Sequence, residues 1–273
     1  MFNQDVTLII KAFERSYAVV KLYESIRKFY PDLKIIIVDD SKNAMDASIF
    51  DKNVEYCHTD FDIGLSAGRN LAVSKVKTKY FVLLDDDFLF TKKTKLEKMY
   101  DALTTTGFKI VSGNVYDFGK KRRRFSGVFD KKDGYLLLME DKDHGFYQGY
   151  KKIDFTINFF MAETQTILEN KWDDKLKLCE HVEFFYRMTK NEVLITDLGK
   201  KVSIEHYPEA MGNYLEYRKR ADGFRAMFNQ EYGFKDYKMV VNEGLILRAY
   251  LALKGIPFIG SFVFNLKKKI MKV

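Results

Sequence analysis

Two short apolar runs that break off in carboxylates constrain this chain more than any other feature. Residues 34–38 (KIIIV) end in Asp39-Asp40-Ser41, and residues 80–84 (YFVLL) end in Asp85-Asp86-Asp87. Runs of this length, β-branched or aromatic and bounded by turn residues, read as buried strands. A similar run at 6–12 precedes them, and 54–57 is a weaker one. Segments of helical spacing lie between. Over 17–30, Val20, Tyr23, Ile26 and Tyr30 recur at helical intervals until Pro31 stops the pattern. A second helix is expected from a Ser66 cap to about residue 76, and a third over 93–103 before a strand at 109–112. This alternation predicts an α/β fold: a mostly parallel central sheet with right-handed crossovers, flanked by helices. Such sheets bind ligands beyond the carboxyl ends of their strands, near a switch in strand order. Both acidic clusters fall at such ends.

The second half is less regular. Residues 113–150 mix short apolar pieces with glycine and the basic run KKRRR at 120–124, as expected of hairpins or a substrate-covering loop. A strand entering a turn is expected at 154–164, a helix at 180–189 and a strand at 193–198. From about 216 the pattern turns helical, basic and amphipathic. The expected organisation is a catalytic domain over 1–215, with a nucleotide-binding half at 1–112 and an acceptor half at 113–215. A helical appendage follows over 216–273. An aromatic share of 15% and only three prolines exclude a disordered chain. Cys57 and Cys179 lack metal-ligand spacing and suit a reducing compartment. The opening MFNQDVTLII has no basic leader, and no apolar stretch reaches the roughly 20 residues of a membrane span. A cytoplasmic protein is expected.

Three consecutive aspartates after a buried strand repel one another and call for a compensating cation or donor-rich partner. A divalent metal with a diphosphate supplies both, through hard oxygen ligands; a helix-capping acidic loop is the plainer alternative. Asp39 and Asp40 suit ribose hydroxyls or a pyrimidine ring nitrogen, or simply a turn. Arg69 and Asn70, in GLSAGRN, lie where a helix start and a guanidinium can face an anion. His206 follows the apolar run 202–204 and is either a satisfied structural histidine or the nitrogen ligand that the acidic cluster lacks. Glu180, His181 and Glu183 open a helix and are the available bases for deprotonating an acceptor hydroxyl. The residues alone do not choose among the three.

In order and spacing, these segments resemble GT-A-fold glycosyltransferases of the family-2-like group. VTLIIKAFERS, SIRKFYP, IIIVDDS, SAGRNLAVSKVKTKYFVLLDDDFLFTKKTKLE and INFFMAET are similar to the ganglioside-type β-1,4-N-acetylgalactosaminyltransferases and their bacterial relatives. The resemblance is strong over 5–115 and looser over 150–210. It implies a UDP-sugar donor, a glycan or glycolipid acceptor, inversion at the anomeric carbon and a β-linked product, with N-acetylgalactosamine as the first choice of sugar. It places Lys11, Phe13, Arg15, Asp39 and Asp40 around the uridine, Arg69 and Asn70 in support of the nucleotide, and Asp85 at the ribose, with Asp86 shaping the turn beside it. Asp87 would ligate Mn²⁺ or Mg²⁺ with His206. Asp154 and Asn158 would lie where donor sugar and acceptor meet. Many family-2-like enzymes carry a Glu-Asp pair at the acidic helix start, where this chain has Glu180-His181. A His-x-Glu pattern in the ganglioside-type subgroup points to Glu183 as base, with His181 as a positioning group or alternative base.

The run at 120–124 suits an anionic acceptor, or is an ordinary solvated loop. The lysine cluster at 267–272, after the apolar face of 245–264, suits an interfacial helix on anionic lipid and hence peripheral membrane association, or else packing against the catalytic domain or a second subunit. No nucleic-acid partner is expected. Rival readings fit less well. A sugar-nucleotide pyrophosphorylase needs a glycine-rich loop where this chain has KAFERS. A haloacid-dehalogenase-type phosphatase places its nucleophile strand first and expects Thr or Val where Leu89 stands. A non-catalytic carbohydrate- or membrane-binding protein is the third.

Overall fold

The fold was analysed in a computed structural model, which describes residues 2–118, 121–123, 125–207, 217 and 219–240. A short helix α1 (Phe2–Asp5) leads into β1 (Val6–Ala12), α2 (Ser16–Phe29), β2 (Lys34–Asp39), β3 (Val54–His58), α3 (Leu65–Lys75) and β4 (Tyr80–Asp85). Then come β5 (Phe88–Leu89), α4 (Leu96–Thr105), β6 (Ile110–Ser112), β7 (Asn114–Asp117), β8 (Lys121–Arg123), β9 (Gly127–Lys132) and β10 (Tyr135–Glu140). The remainder is β11 (Phe146–Tyr147), β12 (Tyr150–Lys151), β13 (Phe160–Glu163), α5 (Thr164–Glu169), α6 (Glu180–Lys190), β14 (Ile195–Asp197), β15 (Ser203–His206), α7 (Ala221–Tyr232) and β16 (Asp236–Val240).

A seven-stranded sheet in the order β14-β6-β13-β4-β1-β2-β3 forms the centre, and β13 alone runs antiparallel to its neighbours. Every residue of β1 is buried, as both faces are covered. On one face Leu8, Ile10 and Ile37 join α2 and α4 in a core. On the other, Ile9, Leu83 and Phe160 meet α3 and α6. The chain steps from β1 outward to β2 and β3, then returns to place β4 on the other side of β1. The strand order therefore switches between β1 and β4, the crevice where a doubly wound sheet takes its ligand.

Ser66 does not cap α3. That helix starts at Leu65 after Gly64, and the buried Ser66 hydroxyl donates to the Leu176 carbonyl at 2.6 Å. Of the strand expected at 154–164, only β13 is regular, because residues 153–158 cross toward the end of β4 instead of pairing along it. The described part of the C-terminal appendage does not stand apart. β16 adds to β10 as a parallel strand, and Phe228 of α7 is buried in the α3–α6 core. The basic residues Lys120 and Arg124, and the whole tail over 241–273, lie outside the described residues. Among those described, no helix is long and apolar enough to cross a membrane.

Candidate active site

Pairing in the central sheet sets three strand ends level. Lys11 stands opposite Asp85 on β4, and Ala12 opposite Asp39 on β2. Side chains at these ends therefore converge on one crevice. Lys11 folds back inside the protein, donating to the Ala12 carbonyl at 2.8 Å and to Asp40. Burial lowers the Lys11 pKa despite the neighbouring Asp40 charge. The glycine of SAGRN makes room for that lysine, since a Cβ on Gly68 would collide with the Lys11 Cδ and Cε. Asp40 also accepts the Gly64 amide at 2.9 Å. Asp39 accepts from the Ser41 amide at 2.9 Å and the Tyr56 hydroxyl at 2.8 Å. Beside them Phe13 forms an aromatic wall with Phe61 and Tyr217, at ring distances of 5.7 and 4.9 Å.

The three aspartates after β4 have separate partners. Asp85 meets Arg69 at 3.4 Å and the Asn158 amide at 3.2 and 3.3 Å. Burial raises its pKa, with Arg69 opposing. Asp86 is ion-paired with Arg15, yet burial still pushes it up to about 7. Asp87 accepts from Arg15 at 2.8 Å and faces His206 Nε2 at 3.2 Å. Burial alone would raise Asp87, but the hydrogen bonds from His206 and Arg15 outweigh it and hold the carboxyl below its usual range. His206 arrives on β15, which pairs with β5 directly after the cluster, and its Nδ1 is 2.7 Å from Asp117 on β7.

That last contact tests the fit of a metal. In the ion-free protein Nε2 donates to Asp87. A carboxylate at Nδ1 would keep a proton on that nitrogen and leave the Nε2 lone pair to a cation shared with the Asp87 oxygen. Among the described residues no group of three His, Cys, Asp or Glu side chains surrounds a cation position. The residues thus fit an ion held by two protein ligands and completed by ligand oxygens, as a diphosphate provides. Carboxylates (Asp39, Asp40, Asp85, Asp86, Asp87, Glu180) outnumber the cations Lys11, Arg15 and Arg69 here, which favours the same kind of ion. Buried oxygens of Asp86 (Oδ2) and Asn158 (Oδ1) have no hydrogen-bond partner. Unsatisfied polar atoms of this kind, gathered at one crevice, point to a ligand.

Each of the three helix-start bases has a different environment. Glu180 is buried and ion-paired with Arg69. The carboxylate of Glu183 is taken by Arg187 at 2.8 and 3.3 Å and by the Tyr232 hydroxyl at 2.9 Å, so this residue ties α6 to itself and to α7. His181 Nε2 lies 2.6 Å from the Thr156 carbonyl and must carry the proton there. Burial lowers its pKa to about 4, outweighing the nearby Glu180 carboxylate, so the ring is neutral at pH 7. Its buried Nδ1 has no hydrogen-bond partner.

Two other expected site residues are committed elsewhere. The Asn70 amide bonds Trp172 through both its atoms, at 2.8 and 3.0 Å, and Asp174 at 2.7 Å, fastening α3 to the loop before α6. Asp154, 4% exposed, holds His144 at 2.9 Å and the Phe129 amide at 2.9 Å. Sequence reasoning missed Asp117. Its signal was faint: NVYD and SIEH are two short apolar runs ending in polar residues that pair in register, His206 opposite Asp117.

Comparison with known proteins accords with this geometry. The profile of "Glycosyl transferase family 2" matches residues 7–176. The chain is 38% identical over 184 residues to "Beta-1,4 N-acetylgalactosaminyltransferase 2" of Mus musculus, covering 66% of this chain and 35% of that protein. It is 34% identical over 233 residues to "Beta-1,4 N-acetylgalactosaminyltransferase 1" of Rattus norvegicus, covering 80% of this chain and 43% of that protein. It therefore spans well under half the length of these relatives. The crystal structure of S. aureus TarS shares the fold, with a TM-score of 0.56 at 13% identity over 83% of this chain and 39% of that one. From the strand ends to the profile match, the chain belongs to glycosyl transferase family 2.

Proposed function

We propose that the chain is an inverting glycosyltransferase moving a sugar from a UDP-sugar to a glycan hydroxyl, with metal assistance. One observation carries the reading: Asp87 and His206, backed by Asp117, face each other at the mouth of the β1–β4 crevice beside Asp85. The names of the mouse and rat relatives support N-acetylgalactosamine as the donor sugar. The Phe13, Phe61 and Tyr217 wall, with Lys11, Asp39 and Asp40 beneath it, suits a uracil and its ribose. Asp87 and His206 would hold Mn²⁺ or Mg²⁺, whose chemistry here is to neutralise charge on the departing diphosphate. Arg15, released from part of its aspartate pairing, would add a donor to the same oxygens.

For the base, the geometry favours His181 over Glu183. Thr156 fixes the proton on Nε2 and leaves the Nδ1 lone pair available, whereas Arg187 and Tyr232 occupy Glu183. A base of pKa about 4 is weak, and it suits a reaction in which the acceptor proton leaves late. Asn158 would orient Asp85 toward the ribose, while Asp154 supports the scaffold.

A panel of UDP-sugars incubated with the enzyme and Mn²⁺, without acceptor, tests the proposal. Slow hydrolysis of at least one, UDP-N-acetylgalactosamine first, is expected, with suppression by EDTA. Asp87→Ala and His206→Ala should each lower it by about 100-fold or more with an unchanged circular-dichroism spectrum. No turnover of any UDP-sugar, or full turnover by Asp87→Ala, would sink the reading.

A further inference from the structure

We propose that Arg220 is a positioning residue for the donor nucleotide: its ion pair with Asp62 holds Tyr217 in the aromatic wall, so that the segment leading into α7 completes the base pocket. This rests on the UDP-sugar reading above and deepens it, by assigning part of the nucleotide affinity to residues beyond the central sheet. The family profile matches residues 7–176, so Tyr217 and Arg220 lie outside the stretch that it describes.

The loop between β3 and α3 is the fixed side of this contact. The Asp62 amide donates to the Asp40 carbonyl at 3.0 Å, and two residues later Gly64 donates to the Asp40 carboxylate. Asp62 has a φ of 57°, a left-handed conformation that aspartate adopts more readily than most side chains. Lys177 approaches from the opposite direction. Its ammonium donates to the Asp62 carbonyl and lies 3.3 Å from the Asp62 carboxylate, while its own carbonyl accepts the Leu65 amide at 3.2 Å. The Lys177 stem lies so close to Gly64 that a Cβ there would collide with it. The loop is therefore held by the end of β2 and by the segment before α6, and it carries Phe61 beside Phe13.

Tyr217 is the held side. Its ring meets Phe13 and Phe61 edge-on at 4.9 and 5.9 Å. Arg220 joins it to the loop with one side chain. Both terminal nitrogens of the guanidinium donate to Asp62, at 2.9 and 3.2 Å. Its Nε and its backbone amide each donate to the Tyr217 carbonyl at 3.3 Å, and the guanidinium stands 5.1 Å from the Tyr217 ring centre. A two-point fork fixes direction as well as distance, which an ammonium does not. Asp62 is already secured by Lys177 and Asp40, so what Arg220 adds is the placement of Tyr217. Asp40 follows β2 whereas Asp87 follows β4, on opposite sides of β1. The pair thus acts at the nucleobase end of the crevice and should govern nucleotide binding rather than turnover.

Isothermal titration of the full chain with UDP, and separately with inorganic pyrophosphate, each with Mn²⁺, tests this. Arg220→Ala should weaken UDP by about fivefold, the scale of an exposed but well-aligned ion pair, and leave pyrophosphate unchanged. Arg220→Lys, which keeps the charge and loses the fork, should fall between. In UDP-N-acetylgalactosamine hydrolysis the same loss should appear in KM, with kcat unchanged. Tyr217→Ala should weaken UDP by about tenfold, from the loss of one aromatic contact. Adding Arg220→Ala to that variant should change nothing further. Additive losses in the double variant, equal losses for UDP and pyrophosphate, or a fall in kcat at constant KM would overturn the proposal. The two readings fail separately. Hydrolysis of a UDP-sugar with UDP affinity indifferent to Arg220 removes the positioning role alone. UDP binding that depends on Arg220 and Tyr217, without hydrolysis of any UDP-sugar, removes the transferase reading and leaves a nucleotide site.

Discussion

Replacing Arg69 by alanine tests how the acidic crevice is kept folded. The guanidinium is 1% exposed, pairs with the buried Glu180 and lies 3.4 Å from Asp85. Its removal strands the buried Glu180 carboxylate and takes a cation from the partly exposed Asp85. Breaking a buried pair from one side costs about 3–5 kcal/mol. At about 2–4 °C per kcal/mol for a chain of this size, the melting temperature should fall by roughly 6–20 °C. The sign of the pH dependence is also fixed. Burial already raises Asp85 above its ordinary value of 3.8, and Arg69 is the main force opposing that rise. Without Arg69 the folded-state pKa climbs further above the unfolded one, so the fold takes up a proton that the unfolded chain has lost. The deficit of Arg69→Ala should therefore be smaller at pH 5 than at pH 8. Arg69→Met combined with Glu180→Gln should recover much of the loss, as an apolar and neutral pair replaces a broken ionic one. Differential scanning calorimetry at the two pH values reads all of this. An Arg69→Ala protein melting within about 2 °C of wild type, or with a pH-independent deficit, would refute the reasoning.

Two further outcomes are expected. Asp86 is pushed up to about 7 in the fold, so its contribution to stability is present at low pH and lost as pH rises toward 7. Asp86→Asn should accordingly gain in melting temperature against wild type between pH 5 and pH 8, and a constant difference would count against the burial argument. Gly68→Ala should cost about 1–3 kcal/mol by displacing the Lys11 stem. In a Lys11→Ala background that cost should largely vanish, and additive losses in the double-mutant cycle would show the clash to lie elsewhere.

The strand ends were legible because burial and termination are both written locally. IIIV and VLL have to be covered on both faces, and the carboxylates that follow can lie only beyond the sheet. The pairing of His206 with Asp87 was legible only as a resemblance, since 119 positions separate them and no local pattern brings β15 beside β5. Asn70 and Glu183 show the limit most clearly. Each sits in a segment that suggested chemistry, yet each spends its polar atoms on Trp172 and Asp174, or on Arg187 and Tyr232. Side-chain type tells what a residue can bind; only the tertiary neighbours decide what it does bind. The appendage was legible only in part, for a related reason. Its amphipathic helix was recognisable, but the strand after it, DYKMV, pairs with a partner about a hundred residues earlier.

That pairing has a practical consequence for anyone shortening the protein. β16 covers one side of β10, whose Leu136 and Leu138 are buried at 0% and 1% exposure. A fragment ending at the apparent boundary near 215 would leave the backbone donors and acceptors of β10 open on that side, beside apolar side chains newly wetted by the loss of α7. Such an edge is a template for the next copy of the chain. The truncated protein should self-associate during expression, and adding back a peptide spanning 217–240 should suppress that by occupying the vacated edge.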